Sequence, residues 1–430
     1  MLTRRKTLAA GSALLTAPAL PAIAQAGATV TMWTFLDPTR NTGREVALRQ
    51  MIESFERANP GVRVRVEPQV FSELMQKFLA GHATGSAPDI IWVNTENMGA
   101  LTRSGAAADL QAAFINLWSP PERDDFFVKA GWDAGLVGNR RFAVPLFHAT
   151  TSVAYRRDLF EAQNIAPQSI KTWEQVAEAA QRLTTRRDGR VETWGFGTPL
   201  SAERTGGTTA FTAMMTAGGA VWENCRPRYA NQNGIRAVQW HVDLINRYQA
   251  MPREVIANHT DDITDQFIAG RYAMAVIPFA RYEQIARTAR WGGQNLGILP
   301  WPNWTPDRAG PQQVQGWWAA VWSRSRRPTE SAKFLEHMIS KDSVRLWTKL
   351  GGQVPTRASV WNEPEIQTPQ FGFMQAVVEG WRAWSFMTPT ECNTARFDAD
   401  WNQAAQRVLV GNVTPERALQ EAERAFLDRQ

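Results

Sequence analysis

Little in the 430-residue chain could make or break a covalent bond. Its five histidines and two cysteines fall into no HExxH, CxxC or GxSxG pattern, so zinc-dependent and serine-nucleophile chemistries lack their residues. No metal site and no cofactor is expected. Hydrolysis of a glycosidic bond needs two carboxylates flanking it; Glu96 and Asp37 fall in suitable loops, yet nothing in their spacing pairs them. What the chain holds in quantity is ring and hydrogen-bonding surface. It has 19 tryptophans. One ring half covered by a ligand removes about 100 Å² from water, roughly 2.5 kcal/mol. Two such rings supply much of the −8 kcal/mol or so that micromolar binding needs, before association costs. Most tryptophans in any chain are core, so position must decide which of these could meet a ligand.

The elements that position them read as α/β. Val30–Phe35 has the composition of a buried strand. Leu48, Met51, Ile52 and Phe55 recur at helical spacing over 44–58, and Asn59-Pro60-Gly61 stops that helix. Val62–Val66 alternates, as a half-buried strand does, and a helix is expected over 73–80. Asp89–Val93 is a continuous apolar run, as central strands are. The order strand, helix, strand, helix, strand means an open α/β sheet. Further on, Thr172 and Gln175 form a capping box ahead of a helix that buries Val176, Ala179, Ala180 and Leu183. Helices are expected over 234–249, 260–269 and 329–340, and strands over 273–277 and 315–322. Thr414-Pro415 caps a terminal helix with Ala418, Leu419, Ala422 and Phe426 inward. Loops after the carboxyl ends of strands face the crevice of such sheets. Strand one delivers Thr34, Phe35 and Asp37 there, and strand three delivers Glu96 and Asn97.

The chain is too long for one ordinary core, so two lobes are expected. Arg141–Phe160 (RFAVPLFHATTSVAYRRDLF) reads as a crossing between them, with Pro145 at a strand end and His148–Ser152 as a polar patch lining the cleft. Leu296–Trp304 is a second crossing candidate. The formal charge of +6 includes Arg4, Arg5 and Lys6; without them it is about +3, too weak and scattered for nucleic acid. Residues 1–26 read as a signal peptide with a small-residue cleavage site. Thr3-Arg4-Arg5 partly matches a twin-arginine signal, and Sec export also stays open. Cys225 and Cys392 suit an oxidising compartment. Bonded, they would close a long loop worth about 4 to 5 kcal/mol in the chain-entropy model; two separate thiols are the alternative.

WTF on strand one, FERANPGVRVRV, GSAPDIIWV, FAVPLFHATTSVAYRRDLF, FIAGRYAMAVIPF, ESAKFLEHM and GGQVPTR, in this order, span the chain beyond the leader. Together they resemble the extracellular solute-binding proteins of ABC importers, the carbohydrate family that includes maltose-binding protein. The resemblance implies a two-lobed periplasmic-binding-protein fold, each lobe an open, mostly parallel sheet flanked by helices, with the ligand cleft at the hinge. By that analogy the N-terminal lobe is 27–147 plus 299–326, and the C-terminal lobe is 148–298 plus 327–430. It implies a periplasmic, monomeric, non-catalytic protein that closes on a carbohydrate and hands it to the membrane permease.

It also implies ligand positions. His148 and Thr150 occupy the cleft-facing crossing, Gly207 and Thr208 fall where relatives bring backbone and an aromatic, and that aromatic is missing here. Phe279, Arg281 and Tyr282 follow a second-lobe strand; Gly316 precedes Trp317 and Trp318; Arg396 lies in a late loop that faces the cleft in relatives. Many relatives carry an acidic residue just before the threonine of the first crossing, where this chain has Ala149. With His148, Arg281 and Arg396 nearby, an anionic polyol or acidic sugar is the alternative ligand. A secreted glycoside hydrolase is the remote one.

Overall fold

The computed structural model describes residues 27–201, 206–392, 394–411 and 413–429; the expected signal peptide lies outside them. Two five-stranded sheets carry the chain. In spatial order the first runs Val62–Pro68, Ala28–Thr34, Ile90–Asn94, Gln315–Val321, Val144–Ala149. Its central strand Ile90–Val93 is buried throughout, while the edge strand alternates half-buried Val62, Val64 and Val66 with exposed Arg63 and Arg65. The second sheet runs Leu296–Leu299, Thr151–Arg156, Tyr272–Pro278, Arg190–Gly197, Thr185–Arg187.

Both sheets are mixed, for a reason that matters to the site. The strands 28–34, 62–68 and 90–94 are parallel, but 315–321 is antiparallel to both its neighbours. In the second sheet 151–156 is likewise antiparallel to 272–278 and to 296–299. These two reversed strands are the ones arriving from the other lobe. Each enters its sheet from the cleft end, so it runs against strands that point towards the cleft.

Local signals explain the helices. Gly43–Ala58 buries Leu48, Met51 and Phe55, and Gly61 at φ +94° turns the chain into the next strand, a conformation costly for a side chain. The Thr172–Gln175 capping box is formed: Gln175 N–H donates to Thr172 Oγ1 at 3.2 Å, and Thr172 N–H donates to Gln175 Oε1 at 3.0 Å. Thr414 accepts from Arg417 N–H ahead of Pro415–Leu427.

Two hydrophobic cores correspond to the two sheets, and they move the expected lobe boundaries. Phe334, Leu335, Met338 and Trp347 belong to the first core, with the Phe334 ring 4.9 Å from Phe55. The helix Pro328–Met338 therefore packs on the first lobe rather than the second, while Lys341–Lys349 sends Trp347 into the first core and Val344 into the second. Conversely, Trp301 and Trp304 lie in the second core, where Trp304 Nε1 donates to Met214 O at 2.8 Å. The chain thus crosses at 149–151, at about 313–315 and again over 341–354. The sequence period identifies which face of a helix is apolar, not which sheet that face meets.

Cys225 and Cys392 are bonded, with Cα atoms 5.1 Å apart and a sequence separation of 167. Among the described residues no helix is long and apolar enough to cross a membrane.

Candidate ligand-binding cleft

The cleft end of the first sheet gathers rings from two loops and two strands. Phe35, directly after strand 28–34, lies 4.5 Å from the Trp317 ring and 6.0 Å from Phe71. Phe71 follows strand 62–68, meets Trp317 edge-on at 5.3 Å, and is 54% exposed. Fully buried Trp92 backs both Phe35 and Trp317. The result is a ledge of Phe35 and Phe71 over Trp317. An exposed phenylalanine held edge-on to other rings offers a face for the C–H side of a ligand. Phe71 was not among the expected site residues. The rule that singled out the loops after strands one and three applies equally to the loop after strand two.

Polar groups line the same edge, and several are already engaged. The Thr34 hydroxyl is buried and accepts from Leu36 N–H at 3.2 Å, which fixes the turn. Asp37 accepts from Thr39 N–H at 3.0 Å and from the Thr39 hydroxyl at 2.7 Å; these bonds hold its carboxyl below the usual range. It therefore shapes the loop. Asn97 Nδ2 donates to Asn94 Oδ1 at 2.7 Å within the short turn Thr95–Asn97, and Glu96 is half-buried there. Thr95 Oγ1 accepts from Gly316 N–H at 3.1 Å, locking this turn to the strand that carries Trp317.

The crossing is drier than expected. His148 is 1% exposed, its ring 5.7 Å from Trp318 and 5.9 Å from Trp381. A Cβ on Gly131 would sit 2.1 Å from that ring. Burial pushes the imidazole pKa down to about 3, so the ring is neutral at ordinary pH. Thr150 is 2% exposed and its hydroxyl donates to Thr151 O. Both strands continue almost without break through the crossing, and Val354 and Phe279 bond to its backbone from either side. His148 and Thr150 therefore belong to the hinge and not to the cleft wall. Trp318 is likewise buried, its Nε1 donating to Gly131 O at 2.8 Å.

Gly316 is required by close approach: at φ +146°, its Cβ would lie 2.4 Å from Phe147 O. Beside it, Gln315 Nε2 donates to Thr209 Oγ1 at 3.2 Å, joining the first-lobe strand to the second-lobe helix Gly206–Thr216. Gly207 and Thr208 form the first turn of that helix, which places its N-terminal end at the crossing. Gln315 carries no local sequence signal, because its partner Thr209 is 106 residues away along the chain.

In the second lobe Phe279 and Tyr282 are buried and stack on each other at 5.4 Å; Phe373 lies 5.5 Å from Phe279. They form a wedge beneath the crossing. Burial pushes the Tyr282 phenol well above its usual range. Arg281 is part-exposed and ion-paired with Asp261. Its charge, after burial, helps push down the Arg44 guanidinium, which lies 5.6 Å from the Phe35 ring. Arg396 is elsewhere. Its guanidinium donates to Ala425 O at 2.6 Å and Arg429 O at 3.0 Å and covers the Phe426 ring. The chain is already helical from Thr394, so this arginine fastens the end of the last helix rather than reaching the cleft. Among the described residues no cluster could hold a metal ion.

The structure thus brings together Phe35, Glu96, Asn97 and Trp317, adds Phe71 and Gln315, and removes Thr34, His148, Thr150, Phe279, Tyr282, Trp318 and Arg396 from the accessible surface of the site.

Comparison with known proteins agrees with this architecture. Residues 41–345 match the family described as bacterial extracellular solute-binding protein. The chain belongs to that family, as the motifs had implied. It is 20% identical over 348 residues to an arabinooligosaccharide-binding protein of Bacillus subtilis, covering 79% of this chain and 75% of that one. It is 23% identical over 375 residues to a mannitol-binding protein of Pseudomonas aeruginosa, covering 82% and 79%. Among solved structures, the sugar-binding protein MalE of Xanthomonas citri superposes with a TM-score of 0.78 at 18% identity, covering 92% of this chain and 96% of that one.

Proposed function

We propose that this protein is the periplasmic substrate-binding subunit of an ABC importer, capturing a neutral carbohydrate or sugar alcohol by lobe closure and delivering it to the membrane permease. The observation that carries this reading is the ledge of Phe35, Phe71 and Trp317 at the cleft end of the first sheet. Rings there can cover the C–H face of a sugar while Glu96, Asn97 and Gln315 lie near enough to meet its hydroxyls. Relatives named for arabinooligosaccharide and mannitol support the ligand class.

The anionic alternative loses its support. Of the three cations that suggested it, His148 is buried and neutral, Arg396 serves the last helix, and Arg281 is paired with Asp261. The protein acts as a monomeric binder and not an enzyme. Asp37, one of the two carboxylates a hydrolase would need, is committed to its own turn. Exported with its leader removed, it works where a cystine is stable. Mass spectrometry of the denatured, purified protein tests the reading. A neutral sugar or polyol carried through purification is the expected result, and a phosphorylated or carboxylated ligand would contradict it.

A further inference from the structure

The Cys225–Cys392 bond tethers a loop that reaches the other lobe. Beyond the strand Ser385–Phe386, Met387 packs against both hydrophobic cores. Thr390 O then approaches Gly99 so closely that a Cβ built there would lie 1.6 Å from it. One turn on, Arg103 Nη1 donates to Glu391 O at 2.9 Å. Gly99 and Arg103 sit on the helix Met98–Arg103, whose Met98 and Leu101 belong to the first core. A first-lobe helix and a second-lobe loop therefore meet across the cleft, with a glycine between them. Gly99 has no positive φ, so the first lobe's own fold does not call for glycine. The carbonyl of Thr390 does.

A cavity of 210 Å³, lined by Thr212, Thr216, Trp222, Met387 and Pro389 among others, lies between part of that loop and its own lobe. Covalent and backbone ties reinforce its packing. Cys392 is bonded to Cys225, and upstream Val314 N–H donates to Phe386 O at 2.7 Å.

We propose that Thr390 and Glu391 form a clasp that closes on the helix 98–103, with Gly99 as its seat, Arg103 as its hydrogen-bonding partner and the disulfide as its anchor. The clasp favours lobe closure independently of ligand contacts, so a ligand selects a closed state the chain already samples. This rests on the two-lobed reading of the fold and not on which ligand is bound.

The test uses the mature chain with spin labels on Leu117→Cys and Val410→Cys, one exposed position in each lobe, and pulsed electron resonance without added ligand. The unaltered clasp should give a short-distance population. Gly99→Ala should reduce it about tenfold or more, because the methyl and the Thr390 carbonyl cannot share that space. Arg103→Ala and the paired Cys225→Ser, Cys392→Ser change should reduce it several-fold. Alanine is a better helix former than glycine, so Gly99→Ala should melt no lower than the parent, which separates a wedge from misfolding. If the cystine-free variant fails to fold, the Gly99 and Arg103 variants still decide. Identical distance distributions for the parent and Gly99→Ala would overturn the clasp. Failure of every neutral sugar to bind would instead sink the ligand assignment and leave this result standing.

Discussion

Phe71→Ala separates ligand contact from folding more cleanly than any other change in the cleft. The side chain is 54% exposed and meets Phe35 and Trp317 in T-shaped contacts. Losing it should change unfolding free energy by no more than about 0.5 kcal/mol, as exposed substitutions do. If a sugar covers about 80 Å² of the ring, its loss costs about 2 kcal/mol of binding, or roughly a 30-fold rise in Kd. Trp317→Ala is the instructive contrast. That ring is 8% exposed and packed against Phe35 and Trp92, so its removal should cost about 3 to 5 kcal/mol of stability as well as affinity. Calorimetric titration with the ligand found by mass spectrometry, alongside urea unfolding of both variants, reads both effects. A Phe71→Ala protein that binds as tightly as the parent would refute the ledge as a ligand contact.

Two further outcomes concern stability. Denatured protein should show no free thiols before reduction and two after it. Reduction should lower unfolding free energy by about 5 kcal/mol, the chain-entropy value for a loop of this size, and a melting point unmoved by reductant would contradict this. Acid should act through His148 and His241, whose burial lowers their folded pKa values to about 3 and about 4 from 6.5. Above the unfolded value neither imidazole costs anything. As pH falls below it, the unfolded chain binds two protons that the folded chain refuses. Stability should therefore drop between pH 6 and 5 by up to about 2.7 kcal/mol, roughly 1.4 for each ring. Denaturant midpoints that stay flat over that unit would show the rings to be solvated.

Most of the scaffold was legible because its signals are local. The Ile90–Val93 run, the alternation of Val62–Val66 and the Thr172 capping box each depend on a few consecutive residues, and each appears as expected. The candidate site was legible only where one topological rule sufficed. That rule puts Phe35, Glu96 and Asn97 at the carboxyl ends of strands 28–34 and 90–94, where the structure has them. His148 failed for a different reason. A polar residue in a crossing lines the cleft or is buried according to what packs on it, and here Gly131, Trp318 and Trp381 come from distant parts of the chain. Arg396 shows the same limit. Its partners, Ala425 and Arg429, are reached only once the last two helices have packed. The cystine pair could be proposed from composition, but its bonding depended on bringing together residues 167 apart.

The central claim is capture of a neutral sugar by closure of two lobes, and one paired measurement addresses it. Calorimetry against neutral oligosaccharides and sugar alcohols, with a charged sugar as control, should find one tight neutral ligand. Small-angle scattering at saturation with that ligand should show a smaller radius of gyration. Tight binding without compaction, or tight binding confined to the charged sugar, would contradict the account.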